Sequence, residues 1–134
     1  LAMEQETIFQ KIVQGEIPST SIYEDDRFFA FLDINPVSKG HVLLITKEPY
    51  RWMADVPDES ISQIFVEAKN IMLAQIKSLG CDFVQVGVVG KDVPHFHIHL
   101  IPRTLDDTHN ELHARYKYEE GEAQIYADKI KSAL

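Results

Sequence analysis

Two periodicities of apolar residues divide the chain into helices and strands. Spacings of three and four residues predict a short helix over 6–13, a long helix from residue 58 that ends at Gly80, and a closing helix over 122–134. Alternating or continuous apolar runs bounded by turn residues predict five strands, at 21–24, 27–32, 41–46, 82–89 and 94–103. The expected fold class is therefore α+β: a mostly antiparallel five-stranded sheet with one long helix and a C-terminal helix, in a single domain over 1–134.

The predicted strand at 94–103 carries a histidine at alternate positions. Because successive side chains of a strand point to opposite faces, His95, His97 and His99 share one face and the apolar residues between them share the other. At about 3.3 Å of rise per residue the histidine row spans roughly 13 Å, which is about the size of a di- or triphosphate. One face of this strand is therefore expected to be core, and the other an active site.

Composition narrows the possible partners. The chain has 134 residues, a formal net charge of -8 and a single cysteine, Cys81. The negative charge disfavours nucleic acid and anionic membranes, whereas a small phosphorylated ligand remains compatible because distant charges are screened over about 8 to 10 Å. One cysteine provides neither a disulfide framework nor a thiolate zinc site. With neither a membrane-length apolar run nor a signal-peptide pattern, the sequence favours a cytoplasmic protein.

Three interpretations of the histidine row are open from the residues alone. One is a structural role, although unpaired buried imidazoles are costly. Another is a zinc site with His41 or Asp92 as a third ligand, but His99 lies far along the strand for the same ion. The third is catalysis at phosphorus, in which a neutral imidazole attacks while its neighbours hold the phosphate oxygens. Only the third interpretation uses all three positions.

The histidines also belong to a longer pattern. The run His-Phe-His-Ile-His-Leu-Ile that starts at His95 resembles the His-x-His-x-His-x-x motif, with apolar x, of the histidine triad (HIT) superfamily of nucleotide hydrolases and transferases. Upstream segments resemble the Hint branch of that superfamily in order and spacing; they are 7–12, 15–18, 23–26, 31–36 and 40–41. The resemblance covers nearly the whole chain and implies a HIT-like fold.

The resemblance also implies roles for individual residues. His97 would be the nucleophile that takes the nucleotidyl group, with His95, His99 and His41 as further catalytic residues around it. Asp33 would bind the ribose hydroxyls. The predicted purine slot consists of Ile8, Phe9, Ile12, Phe31 and Ile34, and the other predicted nucleotide-binding residues are Gln85, Asp92 and Val93.

The implied function is a purine nucleotide hydrolase or nucleotidyl transferase. It would act at the α-phosphate of a nucleoside phosphoramidate or a similar conjugate, through a covalent nucleotidyl-His97 intermediate, and no cofactor is expected. A dinucleoside polyphosphate hydrolase and a nucleotide-binding module with negligible turnover are the alternatives. Family members are usually homodimers that join two sheets, so the strand at 82–89 or the long helix is expected to supply the contact.

Departures from the family pattern carry expectations of their own. Thr7 and Gln10 stand where many members carry half of a zinc site as Cys-x-x-Cys, so no structural zinc is expected. Asp92 replaces a hydroxyl residue near the scissile phosphate, and we hypothesise that it pairs with His95 or Lys91 so that the imidazole binds phosphate as a cation.

The roles of three further polar residues are left open by the sequence. Arg103 has two interpretations, as a feature that favours a polyphosphate substrate and as a surface charge. His109 and His113, in the polar tail, could reach the site of this or a partner chain, but surface positions are the favoured expectation.

Overall fold

Helices and strands follow one another in the predicted order in the computed structural model, which describes residues 6–108 and 112–134. The helices are α1 (Ile8–Val13), α2 (Asp58–Leu79) and α3 (Glu122–Ser132), with a 3-10 turn at Met53–Asp55. The strands are β1 (Ser21–Glu24), β2 (Phe28–Leu32), β3 (Val42–Thr46), β4 (Phe83–Gly87) and β5 (His97–Arg103). Each predicted helix and strand is confirmed, with differences of a few residues at the ends.

The five strands form one sheet in the order β1-β2-β3-β5-β4, and every neighbouring pair is antiparallel. β3 lies at the centre with all its residues buried, as its apolar sequence predicts. In its pairing with β5, Leu43 lies opposite His99 and Ile45 lies opposite His97. The predicted fold class is confirmed, and this register sets which side chains surround the histidines.

Alternation along the strands separates two apolar cores. α2 and α3 cover one face of the sheet, where Leu44 and Ile98 are fully buried. α1 covers part of the opposite face. The buried residues of that second core are Phe9, Ile12, Phe29, Phe31, Leu43 and Ile45. The side chains of His97 and His99 lie on the α1 side, which we call the histidine face.

α2 is bounded by the residues that the sequence pattern singled out. Asp58 and Glu59 lie in its first turn, where carboxylates favour the positive end of the helix dipole. Gly80 ends the helix in the left-handed conformation, with a φ of 68°. No helix among the described residues is long and apolar enough to cross a membrane.

Gly40 closes the loop between β2 and β3 and sets the position of His41. Its φ of 97° favours glycine, and a Cβ there would lie 2.4 Å from Cδ1 of Leu79. Its N–H donates to the Tyr118 hydroxyl at 2.8 Å, and its carbonyl accepts from Nε2 of the buried Gln75 at 3.0 Å. The loop is thereby tied to α2 and to the C-terminal segment.

β5 begins at His97, so the prediction that the strand starts at residue 94 is wrong. Pro94 has no N–H to give to a ladder, and the N–H of His95 donates to the carbonyl of Val93 at 2.8 Å. This tight turn takes residues 93–95 out of the sheet. The histidine row therefore consists of two strand residues, His97 and His99, and one residue in the preceding bend, His95.

Candidate active site

Four histidines converge on the histidine face. The ring centroids of His97 and His99 are 4.8 Å apart, and those of His99 and His41 are 5.2 Å apart. Phe9 of α1 packs edge-on against His97 at 5.0 Å and against His95 at 6.0 Å. The structure thus brings together the four predicted catalytic residues, from β5, from the bend before it and from the residue that precedes β3.

Hydrogen bonding determines which nitrogen of His97 is free. Nδ1 of His97 lies 2.6 Å from the backbone oxygen of His95. A carbonyl oxygen can only accept, so Nδ1 carries the proton and donates it. In the neutral ring Nε2 therefore keeps its lone pair, which is the state that a nucleophile requires.

A second chain of hydrogen bonds determines the tautomer of His99. The backbone N–H of Val37 donates to Nδ1 of His41 at 3.1 Å, so the proton of the neutral His41 ring lies on Nε2. That Nε2 in turn donates to Nδ1 of His99 at 2.9 Å. The proton of neutral His99 is therefore on its Nε2. His99 is left as an N–H donor, where His97 is left as an acceptor.

His95 supports its neighbour. Its Nε2 donates to the backbone oxygen of Thr46 at 2.7 Å, which holds the bend against β3. The residue has no exposed surface, and its Nδ1 has no hydrogen-bond partner among the described residues. Its own backbone carbonyl accepts the proton of His97, so the position of His95 sets the orientation of that ring.

Burial favours the neutral form of all four imidazoles. It lowers the pKa of His41 to about 3 and that of His99 to about 4, in each case with a contribution from a neighbouring histidine. Burial also lowers the pKa of His95 and of His97; for His97, the hydrogen bond to His95 and the charge of Asp92 oppose the shift. With His41 and His99 neutral at neutral pH, the tautomers derived above apply there.

An apolar cavity of about 100 Å³ lies beside these rings. All five residues of the predicted purine slot line it, together with Asp33 and with Ile17 and Leu43, which the sequence pattern did not single out. Two of the slot residues are exposed at its rim, Ile8 by 47% and Ile34 by 71%. Apolar side chains exposed around a cavity indicate a ligand-binding surface, here one suited to an apolar ring.

Asp33 joins the purine slot to the histidines. Its Oδ2 lies 3.8 Å from Nε2 of His41, and its Oδ1 accepts from the N–H of Asn35 at 2.9 Å. Burial raises the pKa of this carboxyl, and the bond from Asn35 opposes that shift. Once ionised, a carboxylate at this position can accept hydrogen bonds from two neighbouring hydroxyls.

Gln85 and Arg103 form a separate cluster. Oε1 of Gln85 accepts from Nε of Arg103 at 2.9 Å, and Nη1 of Arg103 pairs with Asp107 at 2.9 Å. Arg103 is 2% exposed, so its interpretation as a surface charge is wrong. Gln85 lies opposite Ile101 in the sheet and does not line the apolar cavity. The structure therefore does not bring Gln85 to the predicted purine slot.

The turn before β5 places its residues differently from the hypothesis. Val93 packs against the apolar core of the histidine face. Asp92 is exposed, and in the described chain it forms no ion pair with Lys91 or His95. The predicted pairing is thus wrong. The carboxylate acts on His97 instead, whose pKa it raises against the effect of burial.

Two groups of residues bear on metal binding. Asp33, His41 and His99 offer ligand atoms that all lie within 4.8 Å of one another. The hydrogen bond between His41 and His99 uses a nitrogen of each ring, and a metal bound there would have to replace its proton.

Thr7 and Gln10, at the Cys-x-x-Cys positions, cap α1 reciprocally: the Thr7 hydroxyl accepts from the Gln10 N–H, and Gln10 Oε1 accepts from the Thr7 N–H. The absence of structural zinc stays a prediction.

Sequence reasoning missed the backbone partners of the site. The carbonyl of Thr46 anchors His95, and the N–H of Val37 orients His41. Every residue carries such backbone groups, so no side-chain pattern could have identified them. In the tail, His113 is exposed as predicted, and His109 lies outside the described residues.

The fold and the site together define a class of protein: an antiparallel α+β sheet that presents ordered, neutral imidazoles beside an apolar slot and a carboxylate. The HIT domain model matches residues 14–106. An uncharacterised HIT-like protein of Methanocaldococcus jannaschii is 40% identical over 105 residues, which cover 75% of this chain and 81% of that protein. This chain belongs to the HIT family. A crystal structure of a HIT-like protein from Bartonella henselae matches it with a TM-score of 0.87 and 31% identity over the full length of both chains.

Two relatives carry the names of activities. An adenosine 5'-monophosphoramidase of Schizosaccharomyces pombe is 38% identical over 105 residues, covering 75% of this chain and 76% of that protein. An adenylylsulfatase of Arabidopsis thaliana is 34% identical over 110 residues, covering 78% of this chain and 56% of that protein. Both names specify an adenylyl group, joined to nitrogen in one case and to sulfate in the other.

Proposed function

We propose that this protein is a purine nucleotide hydrolase or nucleotidyl transferase that acts at the α-phosphate through a covalent nucleotidyl-His97 intermediate. The observation that carries the proposal is the tautomer of His97. Its Nδ1 proton is held by the backbone oxygen of His95, which leaves the Nε2 lone pair free on a ring that packs against Phe9 of the apolar slot. A free imidazole lone pair beside N–H donors is the arrangement that attack on a phosphate ester or amide requires.

The proposed substrate lies along the histidine face in the order base, ribose, phosphate. The base occupies the slot lined by Phe9, and the ribose hydroxyls donate to Asp33. The phosphate then lies before His97 and His99. This order is supported by Asp33, which lines the slot and also approaches His41.

In the first step, Nε2 of His97 forms a bond to the α-phosphorus while the bond from phosphorus to the leaving group breaks. The electron pair of that bond goes to the leaving group, and an amine takes up a proton as it departs. The ring of His97 becomes cationic because Nδ1 keeps its proton, and a charge-assisted hydrogen bond to His95 then stabilises it. Nε2–H of His99 donates to a phosphate oxygen on which negative charge builds.

In the second step, a water oxygen attacks the same phosphorus and loses one proton. The bond from phosphorus to Nε2 breaks, and its electron pair returns to His97. The products are a nucleoside monophosphate and the regenerated neutral imidazole. A different nucleophile in place of water would make the same intermediate a nucleotidyl donor.

The relatives support a substrate class. Since a phosphoramidase and an adenylylsulfatase are similar to this chain over three quarters of its length, an adenylyl group is the best-supported nucleotidyl part. We take adenosine phosphoramidates as the first substrates to test. The dinucleoside polyphosphates remain an alternative that the test below includes.

The substitution His97→Ala tests the proposal. Loss of the nucleophile is expected to lower kcat/KM for adenosine 5'-phosphoramidate by about a thousandfold or more. Mass spectrometry of the quenched wild-type reaction is expected to show an adenylyl group on the peptide that contains His97. The matched control is His113→Ala, an exposed histidine, which should retain turnover within about twofold.

Each contrary result has a distinct meaning. Near-normal turnover by His97→Ala would remove His97 as the nucleophile. Turnover of diadenosine polyphosphates but not of phosphoramidates would favour the polyphosphate hydrolase. AMP binding by the wild type without turnover of either substrate would make the protein a nucleotide-binding module.

We also propose that two copies associate through β4. This strand is an edge of the sheet, and its apolar residues Phe83 and Val86 are each 42% exposed. An edge strand can extend its sheet into a second copy, and exposed apolar side chains make that association favourable. A pair of such edges would join two sheets into one.

A further inference from the structure

Asp92 lies on the turn that leads into β5, where its charge acts on the ring of His97. The turn is held at both ends: the ring of Trp52 lies within 3.4 Å of the position a Cβ would take at Gly90, and Val93 packs into the core of the histidine face. The hydrogen bond from His95 to Val93 then closes the bend. Asp92 is therefore an exposed side chain on a constrained backbone, next to the residues that position His97.

The charge of Asp92 is not paired with any described side chain. The carboxylate makes no ion pair or hydrogen bond with any described residue, and Lys91 beside it is equally exposed and unpaired there. The two imidazoles of the phosphate site with the most strongly lowered pKa values, His41 at about 3 and His99 at about 4, add no positive charge at neutral pH. Of the two charges on this turn, only that of Asp92 acts on His97, where it opposes the effect of burial on the pKa of the ring; the chain as a whole has a net charge of -8.

The slot and Asp33 hold the nucleoside on the side of His97 that faces α1 and β2. The charge of Asp92 acts on His97 from the turn between β4 and β5. A substrate with its nucleoside in the slot and its phosphorus at Nε2 of His97 therefore has its leaving group as the part left to meet Asp92. An in-line attack at phosphorus places the leaving group opposite the attacking nitrogen, outside the slot that holds the base.

We propose that Asp92 determines which leaving group the enzyme accepts: it selects nucleotide conjugates of cationic amines and disfavours those of anionic groups such as phosphate and sulfate. The proposal rests on the proposed function and specifies the substrate class of the same site. Asp92 forms no bond in the reaction. It attracts a positive charge on the departing amine, and it repels the negative charges that a polyphosphate or sulfate would place beside it.

The proposed reaction conserves atoms and charge. The bond from phosphorus to nitrogen breaks, its electron pair goes to the amine nitrogen, and that nitrogen takes a proton from solvent as it leaves. The nucleotidyl group stays on Nε2 of His97 until water removes it. A separate ammonium group elsewhere on the leaving amine stays protonated throughout. This is the positive charge that Asp92 attracts.

The test uses three AMP conjugates of similar size whose leaving groups are ethylenediamine, propylamine and glycine, so that the outer end is cationic, neutral and anionic. Intrinsic reactivity differs among them, so the measured quantity is the ratio of kcat/KM between wild type and Asp92→Asn for each conjugate. Asp92→Asn removes the charge and keeps the shape. Asp26→Asn, an exposed aspartate in the turn between β1 and β2, is the matched control.

Asp92→Asn is expected to lower kcat/KM for the ethylenediamine conjugate by about three- to tenfold and to raise it for the glycine conjugate by a similar factor. The propylamine conjugate is expected to change by less than about twofold, as are all three conjugates with Asp26→Asn. The opposite changes should shrink at high ionic strength, because added salt screens an exposed charge. Equal changes for all three conjugates would overturn the charge selection.

The two proposals fail differently. Near-normal turnover by His97→Ala overturns the proposed nucleophile whatever Asp92 does. His97-dependent turnover with an unselective Asp92→Asn overturns only the inference about Asp92. Calorimetric Kd values for the three conjugates can be measured without turnover on His97→Ala, with and without Asp92→Asn. They are expected to show the same preference for the cationic leaving group. If Asp92→Asn left the order of the Kd values unchanged, the inference about Asp92 would again be overturned.

Discussion

The position of single protons gives each imidazole of the site a different chemical capacity. His97 and His99 are the same residue type, two positions apart on one strand. His97 faces a carbonyl oxygen and must donate from Nδ1, whereas His99 faces the N–H of His41 and must accept at Nδ1. One therefore presents a lone pair at Nε2 and the other a proton. The assignment follows from a simple rule, that carbonyl oxygens accept and backbone N–H groups donate.

The low pKa values of these rings predict how stability depends on pH. In the unfolded chain the histidines titrate near 6.5, whereas in the folded protein His41 and His99 titrate at about 3 and about 4. As the pH falls below about 6.5, the unfolded chain binds protons at these histidines that the folded state does not bind. Each histidine that stays neutral in the folded state then lowers the free energy of unfolding by about 1.4 kcal/mol for each pH unit of acidification. This stability is complete above pH 6.5 and is lost on acidification toward the folded-state pKa.

Urea unfolding between about pH 7 and pH 5 measures this dependence. His41→Asn should reduce the slope of the unfolding free energy against pH by the share of one histidine, whatever its effect on stability at pH 7. The exposed His113→Asn should leave the slope unchanged. An unchanged slope in His41→Asn would contradict a neutral His41 in the folded state.

Two junctions between elements of the fold position the histidines of the site. One is the turn before β5, where Pro94 and the bond between His95 and Val93 stop the strand and place a histidine outside it. The other is the loop before β3, where Gly40 hydrogen-bonds to α2 and to the C-terminal segment. Since β3 and β5 pair directly, these junctions set where His41 meets His99.

Gly40→Ala is expected to destabilise the protein by about 2 to 4 kcal/mol. A φ of 97° costs an alanine about 1 to 2 kcal/mol, and the new Cβ would press on Leu79, 2.4 Å away. Gly15→Ala is the matched control, because Gly15 has a φ of 80° and open space around its Cβ position. Equal losses in the two variants, measured by chemical denaturation, would show that the contact with Leu79 contributes nothing.

At the scale of the whole molecule, β4 is an edge of the sheet that the proposed site does not use. β4 lies next to β5 at the margin of the sheet, and the chain after it continues with Val88 and Val89, which are also exposed. The long helix α2 exposes apolar residues as well, among them Val66 at 62%. The family resemblance allowed both surfaces as the dimer contact, and an edge strand is the one through which two sheets can join into one.

Val86→Lys and Val66→Lys form a matched pair for this question. A lysine on an edge strand opposes pairing with a second copy, so Val86→Lys is expected to convert a dimer to a monomer by size-exclusion chromatography with light scattering. Val66→Lys should leave the dimer intact. The reverse outcome would move the contact to α2, and a monomeric wild type would contradict the proposed dimer.

Much of this protein was predictable from periodicity alone. The burial of β3, the extent of α2 up to Gly80 and the shared face of His97 and His99 all follow from the spacing of apolar residues, because helices and strands have set repeats and apolar groups leave water. The convergence of Asp33 and the slot residues was expected only from the family resemblance. It has no local signal, since those residues come from α1, β2 and the following loop.

Tertiary structure alone decided the rest. Whether Arg103 is exposed, whether Asp92 pairs with His95 and which nitrogen of His97 is free depend on partners that are distant in sequence or belong to the backbone. Hydrogen bonds and charges act over a few ångströms of space and carry no periodic trace along the chain. The sequence by itself therefore determined the sheet and the presence of a histidine row. Folding made those histidines unequal, because only in the folded chain does each ring meet the group that takes or supplies its proton.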